Sequence, residues 1–258
     1  MDPTSHPPKI PGAPALPGAP RTGLRPWGGG LDSETWETSS LHPTASPDAV
    51  GFVLAGGMSS RMGADKALEL LAGRPLIAHG LAILREAGLS AFIAGARSPL
   101  ADFAPVVEDR QPGLGPLSGI CAALASASAC RAVFVPVDLP LLPASLIVFM
   151  LHHARITGAA ITLCSVSGFT QTFPAVVSRT ALPMLQSELE SGRRGCFSAF
   201  QVVSTRLGQP LHALAVELLS QSGHVAHSDG LPPVRWFLNV NDPGELRRTN
   251  LLCAAPVG

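Results

Sequence analysis

From Val50 onward the chain alternates short, almost wholly apolar runs with longer stretches that carry their apolar residues on one helical stripe. The run VGFVLA at residues 50–55 predicts a strand buried on both faces of a parallel sheet. RPLIAHGLAILREAG, residues 74–88, places Leu76, Ile77, Leu81 and Leu84 along one side of a helix, with Gly88 where the helix would end. SAFIAG (90–95), APVVED (104–109), RAVFVPVD (131–138) and AAITLC (159–164) predict further strands. GPLSGICAALASASA (115–129) and ASLIVFMLHHARITG (144–158) predict helices between them.

Strands alternating with helices in this way imply βαβ units with right-handed crossovers. The expected fold class is therefore α/β, a Rossmann-like three-layer α/β/α sandwich around a mostly parallel central sheet. The last third is less regular. QTFPAVVSR (171–179) predicts an inserted or mixed-sheet strand, and TALPMLQSELESG (180–192) a helix stopped by Gly192. VRWFLNVNDPGELRRTN (234–250) predicts a strand running into a final helix, capped by Asp242 with Pro243 in its first turn. No internal repeat is apparent. In such sheets ligands sit beyond the carboxyl ends of the strands, so the loop after Ala55 and the acid that closes RAVFVPVD are expected to share one cleft.

Residues 1–48 have a different character. HPPKIPGAPALPGAPRTGLRPWGGG (6–30) has too few large apolar side chains to offset the entropy of ordering its backbone. A disordered Pro/Gly-rich tail is expected there, with a Pro-rich docking strand or a start placed too early as alternatives. Residues 49–252 are expected to form a single domain, followed by a short C-terminal tail, 253–258.

Composition narrows the function classes. With 46% hydrophobic and 14% charged residues in a chain of 258, a well-filled core is expected rather than a nucleic-acid-coating protein. Zero formal net charge gives no reason to expect a polyanion or an anionic membrane as partner, so anion binding must be local. Five cysteines, an odd number without C-x-x-C spacing, argue against a disulfide framework or a structural zinc site. LPLLPASLIVFML (139–151) holds two prolines and is shorter than the ~20 residues that span a bilayer. It reads as a loop entering a core helix, and the N-terminus lacks the continuous apolar segment of a secretory signal. A cytoplasmic location is expected.

The loop LAGGMSSRMGADKAL (54–68) carries the clearest chemistry. Gly56 and Gly57 remove side chains that would keep a ligand from the backbone, leaving amides free to face an anion. Arg61 and Lys66 add positive charge at separate points. A polyphosphate fits both features, although the loop matches neither a Walker A nor a G-x-G-x-x-G pattern, and a glycine-rich strand-to-helix turn is often only a turn.

The string LAGGMSSRMGADK resembles the N-terminal signature L-A-G-G-x-S-x-R-M-G-x-D-K of the Rossmann-like nucleotidyltransferases, in particular the molybdenum cofactor guanylyltransferases. The resemblance continues in order through GPLSGI (115–120), VPVDLPLL (135–142) and FLNVNDPGEL (237–246), and so covers essentially all of residues 50–250. It implies a nucleotidyltransferase-type sandwich in which the backbone of Leu54, Ala55, Gly56 and Gly57 walls the guanine nucleotide, Lys66 reaches the phosphates and Arg61 makes a second phosphate contact. By the same resemblance Asp138 is the magnesium ligand, Asp109 contacts the nucleotide, and Asn239 and Asn241 lie near the metal and the pterin.

The residues themselves leave alternatives at several of these positions. Asp138 ends an apolar strand, where a carboxylate suits a cation but could also cap the following helix. Glu108 could serve in place of Asp109. Gly115 and Gly119 suit close approach of a helix N-terminus to a ligand, or tight helix packing. Asn239 and Asn241, two apart on the expected strand, would share one face, or could cap the final helix. Lys66 could be a solvated surface lysine. His152 and His153 read as surface or packing residues of a helix, and no serine sits in a G-x-S-x-G elbow.

Three positions depart from the family pattern. Val137 replaces a usual cysteine, Phe173-Pro174 replaces His-Pro, and the asparagine after the second strand is represented by Ala96 or Arg97. The resemblance implies transfer of GMP from GTP to the phosphate of molybdopterin or the molybdenum cofactor, with magnesium and release of pyrophosphate. It also leaves room for transient contact with cofactor-insertion or molybdoenzyme partners. The alternatives are a cytidylyltransferase acting on molybdopterin or a sugar or polyol phosphate, against which Gly56 tilts the choice, and an inactive nucleotide-binding regulator, against which Lys66 and Asp138 count.

Overall fold

The structure, a computed structural model, describes residues 48–55, 66–95, 100–109 and 113–254. All of them fall in one compact unit, Leu41–Gly258. The expected tail at 1–48, apart from Asp48, and most of the glycine-rich loop lie outside the described residues.

The strands are β1 (Ala49–Leu54), the hairpin pair β2 (Leu70–Leu71) and β3 (Arg74–Pro75), β4 (Ala91–Ala94), β5 (Val106–Val107), β6 (Arg131–Pro136), β7 (Ile161–Val166), β8 (Phe169–Ser178) and β9 (His212–Ala215). The helices are α1 (Leu76–Glu86), α2 (Pro116–Ser126), α3 (Ala144–Thr157), α4 (Leu182–Glu190), α5 (Cys196–Arg206), α6 (Val216–Gln221), α7 (Pro233–Trp236) and α8 (Pro243–Ala254). The seven-stranded sheet has the order β5-β4-β1-β6-β8-β7-β9. β1 pairs parallel with β4 and β6, β4 with β5, and β7 with β9, while β8 runs antiparallel to both its neighbours. The mostly parallel sheet and the mixed-sheet strand at 171–179 are therefore as the sequence predicts.

Alternation along the central strands builds the three layers. Ala49 and Val53 of β1 and Val133 and Val135 of β6 pack with α1 and α3. Val50, Phe52 and Leu54, with Ala132 and Phe134, pack with α2, α4 and α5 on the other face. Period-two burial on both faces is why these runs are apolar throughout. α1 lies close over β1: a Cβ on Gly51 would come within 2.8 Å of the Leu84 side chain, and one on Gly80 within 3.1 Å of Val53. α3 stops at Gly158, whose φ of 68° is the left-handed conformation of a helix C-cap.

One expected strand is not there. Residues 234–241 form the short α7 and then an irregular segment. Pro233 takes the first position of a helical turn, and burial does not alternate. Trp236 and Val240 are buried while Leu238, which would share their face in a strand, is 36% exposed. The Trp236 indole donates to the Leu231 carbonyl at 2.6 Å, which anchors the turn. α5, β9 and α6 are not separately evident in the sequence pattern. Among the described residues no helix is long and apolar enough to cross a membrane.

Candidate active site

Four parallel strands end along one edge of the sheet. Register pairs Leu54 with Ala94 and with Pro136, and Ala94 with Val107, so the segments that leave β1, β4, β5 and β6 emerge side by side. Backbone bonds carry this order a little further. The Ala55 amide donates to the Ala94 carbonyl at 3.1 Å and the Val137 amide to the Leu54 carbonyl at 3.1 Å. The Leu54 carbonyl and the Ala55 amide thus each have a partner in the sheet. Gly56, Gly57 and Arg61 lie outside the described residues, as do Ala96 and Arg97.

Lys66 opens a short 3-10 turn, Lys66–Leu68, that leads into the β2–β3 hairpin. Asp138 stands two residues past β6. The Lys66 Nζ lies 3.2 Å from Asp138 Oδ2 and donates to Asn241 Oδ1 at 2.9 Å. The two charged side chains keep 15% and 27% of their surface exposed, so the pair is neither buried away nor fully in solvent. Asn241 arrives because the Val240 amide donates to the Asp138 carbonyl at 3.0 Å, which docks the irregular 237–242 segment against the end of β6. Val240 itself seats with Leu71, Leu76 and Leu141 in a small apolar cluster beneath the site.

α8 holds this segment from behind. Asp242 caps it as predicted, its Oδ1 accepting from the amides of Gly244 at 2.7 Å and Glu245 at 2.9 Å. The Glu245 and Gly244 amides, with Arg248 and Arg247, keep the Asp242 carboxyl below its ordinary range. Neither asparagine is the cap. Asn239 does not share a face with Asn241 as expected for a strand, since there is no strand. It is exposed, and its side chain makes no hydrogen bond among the described residues.

A second polar group sits at the β5 end of the same edge. The Ser118 hydroxyl, in the first turn of α2, donates to Asp109 Oδ1 in a very short contact. Glu108 beside it is exposed. Burial, reinforced by the charge of Asp109, pushes the Cys121 thiol up to about 11, so this cysteine stays protonated. Gly115 is the residue before α2 and has φ of 85°, which a side chain would strain. A Cβ on Gly119 would sit at ordinary contact distance, 3.7 Å, from the Gly95 backbone just past β4.

Sequence reasoning does not anticipate Ser118 as the partner of Asp109. It also misses a saturated carboxylate on α4. Glu188 has a side chain with no exposed surface, yet it receives two bonds from the Arg193 guanidinium and lies 3.3 Å from Arg206. The Arg193 hydrogen bond, backed by both guanidinium charges, holds the Glu188 carboxyl below its ordinary range against the opposing effect of burial. The acid in SELESG and the arginine pair after it are the only signal. His153 packs on His212 with ring nitrogens 2.9 Å apart, a contact within the fold as the packing reading expects. Among the described residues no three His, Cys, Asp or Glu cluster as a metal site.

Comparison with known proteins adds to this geometry. Residues 51–223 match the family model of the MobA-like NTP transferase domain. A molybdenum cofactor guanylyltransferase of Vibrio cholerae is 30% identical over 220 residues, covering 83% of this chain and 98% of that protein. One of Xanthomonas euvesicatoria is 47% identical over 98 residues, and there the match covers 38% of this chain and only half, 50%, of the relative. The crystal structure of molybdopterin-guanine dinucleotide biosynthesis protein A from Archaeoglobus fulgidus superposes with a TM-score of 0.64 at 19% identity, covering 80% of this chain and 98% of that one, a likeness of fold. The chain belongs to the MobA-like NTP transferase family.

Proposed function

We propose that this chain transfers a guanylyl group from GTP to the terminal phosphate of molybdopterin or its molybdenum-loaded form, with release of pyrophosphate. The observation that carries the reading is the Lys66–Asp138 pair, 3.2 Å apart and partly exposed at the carboxyl edge of the sheet. The guanylyltransferase names of the relatives support GTP as donor over CTP.

From Asp138 after β6 to Asp109 after β5 there are three strand spacings, about 14 Å. An elongated ligand can touch both ends; a compact one cannot. A nucleoside triphosphate has that form, with a base at one end and an anionic tail at the other. In this orientation Asp109 and Ser118 face the nucleoside, with Gly115 at the helix start beside them, and Lys66 faces the phosphates.

The donors at Asp138 fit magnesium, which takes oxygen ligands and is commonly held by one or two carboxylates with substrate phosphates completing its shell. Asp138 offers a carboxylate whose Oδ2 alone is engaged by Lys66, while the Asn241 amide oxygen beside it holds Lys66. Asp138, with Asn241 adjacent, would hold the ion, which when bound would polarise the α-phosphate and neutralise developing charge. The acceptor phosphate oxygen attacks the α-phosphorus, the new O–P bond forms, and the bond to the bridging oxygen breaks with its electrons leaving on pyrophosphate. The acceptor is already an anion, so this step requires no strong general base. Lys66 and Arg61 supply positive charge to the departing pyrophosphate, and the alignment of the two phosphates does the rest.

The test is to incubate the purified chain with magnesium, molybdopterin and each nucleoside triphosphate in turn and to weigh the products. A guanine dinucleotide of the pterin formed from GTP is the expected product. A cytosine product in preference, or none with any triphosphate, would overturn the reading.

A further inference from the structure

Two carboxylates stand at the start of α8 and do different things. Asp242 accepts from the amides of Gly244 and Glu245, within its own helix. Glu245 reaches backwards, and its Oε2 accepts from the Asn241 amide at 2.6 Å. In an ordinary capping box the third helical residue bonds the amide of the cap itself. Here that return bond is displaced by one residue, onto the residue whose side chain holds Lys66.

We propose that Glu245 is a positioning residue of the active site, acting through Asn241 on the Lys66 ammonium. The chain of contacts is continuous: Glu245 Oε2 to the Asn241 amide at 2.6 Å, Asn241 Oδ1 to Lys66 Nζ at 2.9 Å, and Lys66 Nζ to Asp138 Oδ2 at 3.2 Å. An ammonium has three N–H donors. Asp138 and Asn241 engage two, which leaves one for a phosphate oxygen. Asn241 is neutral, so it can keep its hold on Lys66 while Asp138 exchanges the lysine for another cationic partner. With the Asn241 backbone released, Lys66 keeps Asp138 as its one anchor and the two charges simply quench each other.

The far end of α8 makes the same connection to the Lys66 segment. Asn250 Oδ1 accepts from the Ala72 amide at 2.7 Å, in the turn between β2 and β3. Its Nδ2 donates to the Leu246 carbonyl at 3.1 Å, within α8. The helix is therefore fixed to the Lys66–β2–β3 segment at two points, and Glu245 governs the one nearer the charge.

This inference deepens the proposed function and rests on it for the identity of the phosphate ligand, so its test includes a readout that needs no turnover. The probe is the Lys66 ammonium NMR correlation in the full, unliganded chain, assigned by its loss in Lys66→Arg. Glu245→Gln retains an acceptor oxygen and is expected to leave the signal in place. Glu245→Ala is expected to shift it, because the ammonium loses the Asn241 acceptor and keeps only Asp138. Asp242→Ala removes the cap and lowers Tm, and is expected to leave the signal unmoved. GTP affinity measured without metal should fall about fivefold in Glu245→Ala, the net scale of a single ordinary hydrogen bond, and recover in Glu245→Gln. An unmoved signal in Glu245→Ala, or an equal shift in Asp242→Ala, would overturn the positioning role. If the wild-type chain instead makes no guanylylated product, the proposed activity fails while the ammonium signal still decides the role of Glu245.

Discussion

Of the carboxylates paired with cations among the described residues, Glu188 and Asp138 are opposites. Glu188 is fully enclosed and has two guanidiniums for one charge, with both oxygens engaged. Asp138 has one ammonium on one oxygen, keeps 27% of its side-chain surface, and stands where four parallel strands end. A saturated, enclosed pair has nothing to offer a ligand and much to lose when broken. A half-satisfied, half-exposed pair can exchange partners at small cost. Saturation and placement on the fold separate a structural ion pair from a reactive one, and residue type alone does not.

The contrast breaks most visibly at Asp138. Asp138→Asn keeps shape and oxygen but removes the charge, and is expected to lower kcat about a hundredfold or more while GTP affinity changes by less than about tenfold. Steady-state pyrophosphate release at saturating magnesium, set against calorimetric GTP binding, measures both. Unchanged turnover would place Asp138 with Glu188 among the structural pairs. Lys66→Met is expected to weaken GTP binding about tenfold, in keeping with removal of a charge-assisted hydrogen bond to phosphate, with Tm little changed; direct titration of GTP checks it.

Glu188→Gln should give the reverse pattern: Tm lower by roughly 4–8 °C and kcat within about twofold of the wild type. Differential scanning calorimetry and the same assay measure the two. The acid limb provides an independent check. Because the native Glu188 carboxyl titrates below its ordinary value of 4.5, the unfolded chain binds more protons in that window. Its contribution is complete above the ordinary value and is lost as pH falls through the native one. Glu188→Gln should therefore flatten the fall in Tm below about pH 4.5.

The smallest effect is expected at His153. Burial, with His212 2.9 Å away, holds its pKa below the ordinary 6.5. The unfolded chain again takes the extra proton, so Tm should decline as pH drops below the ordinary histidine value, by roughly 2 °C, and His153→Gln should remove that decline. An unchanged pH slope in the variant would contradict it.

How much of this is legible in the sequence differs by region. β1, β4 and β6 are readable because burial on both faces demands continuous apolar runs, and α1 because Leu76, Ile77, Leu81 and Leu84 form a stripe. The Asp242 cap and the helix after Pro243 follow from residue type at a helix start. The segment at 234–241 misleads because Trp236, Leu238 and Val240 imitate period-two alternation, when tertiary contacts bury the first and last and leave the middle one out. Lys66 and Asp138 are visible as isolated candidates, 72 residues apart. That Asn241 completes their contact, and that Ser118 bonds Asp109, depends on how helices dock on the sheet edge, which local spacing does not encode.

The direct measurement is a crystal structure of the chain with GTP and magnesium. The expected result has Lys66 on the triphosphate, Asp138 on the cation with its contact to Lys66 exchanged, and Asn241 still within hydrogen-bond distance of the lysine. Nucleotide bound away from this edge, with Lys66 and Asp138 still paired at 3.2 Å, would contradict the assignment of the site.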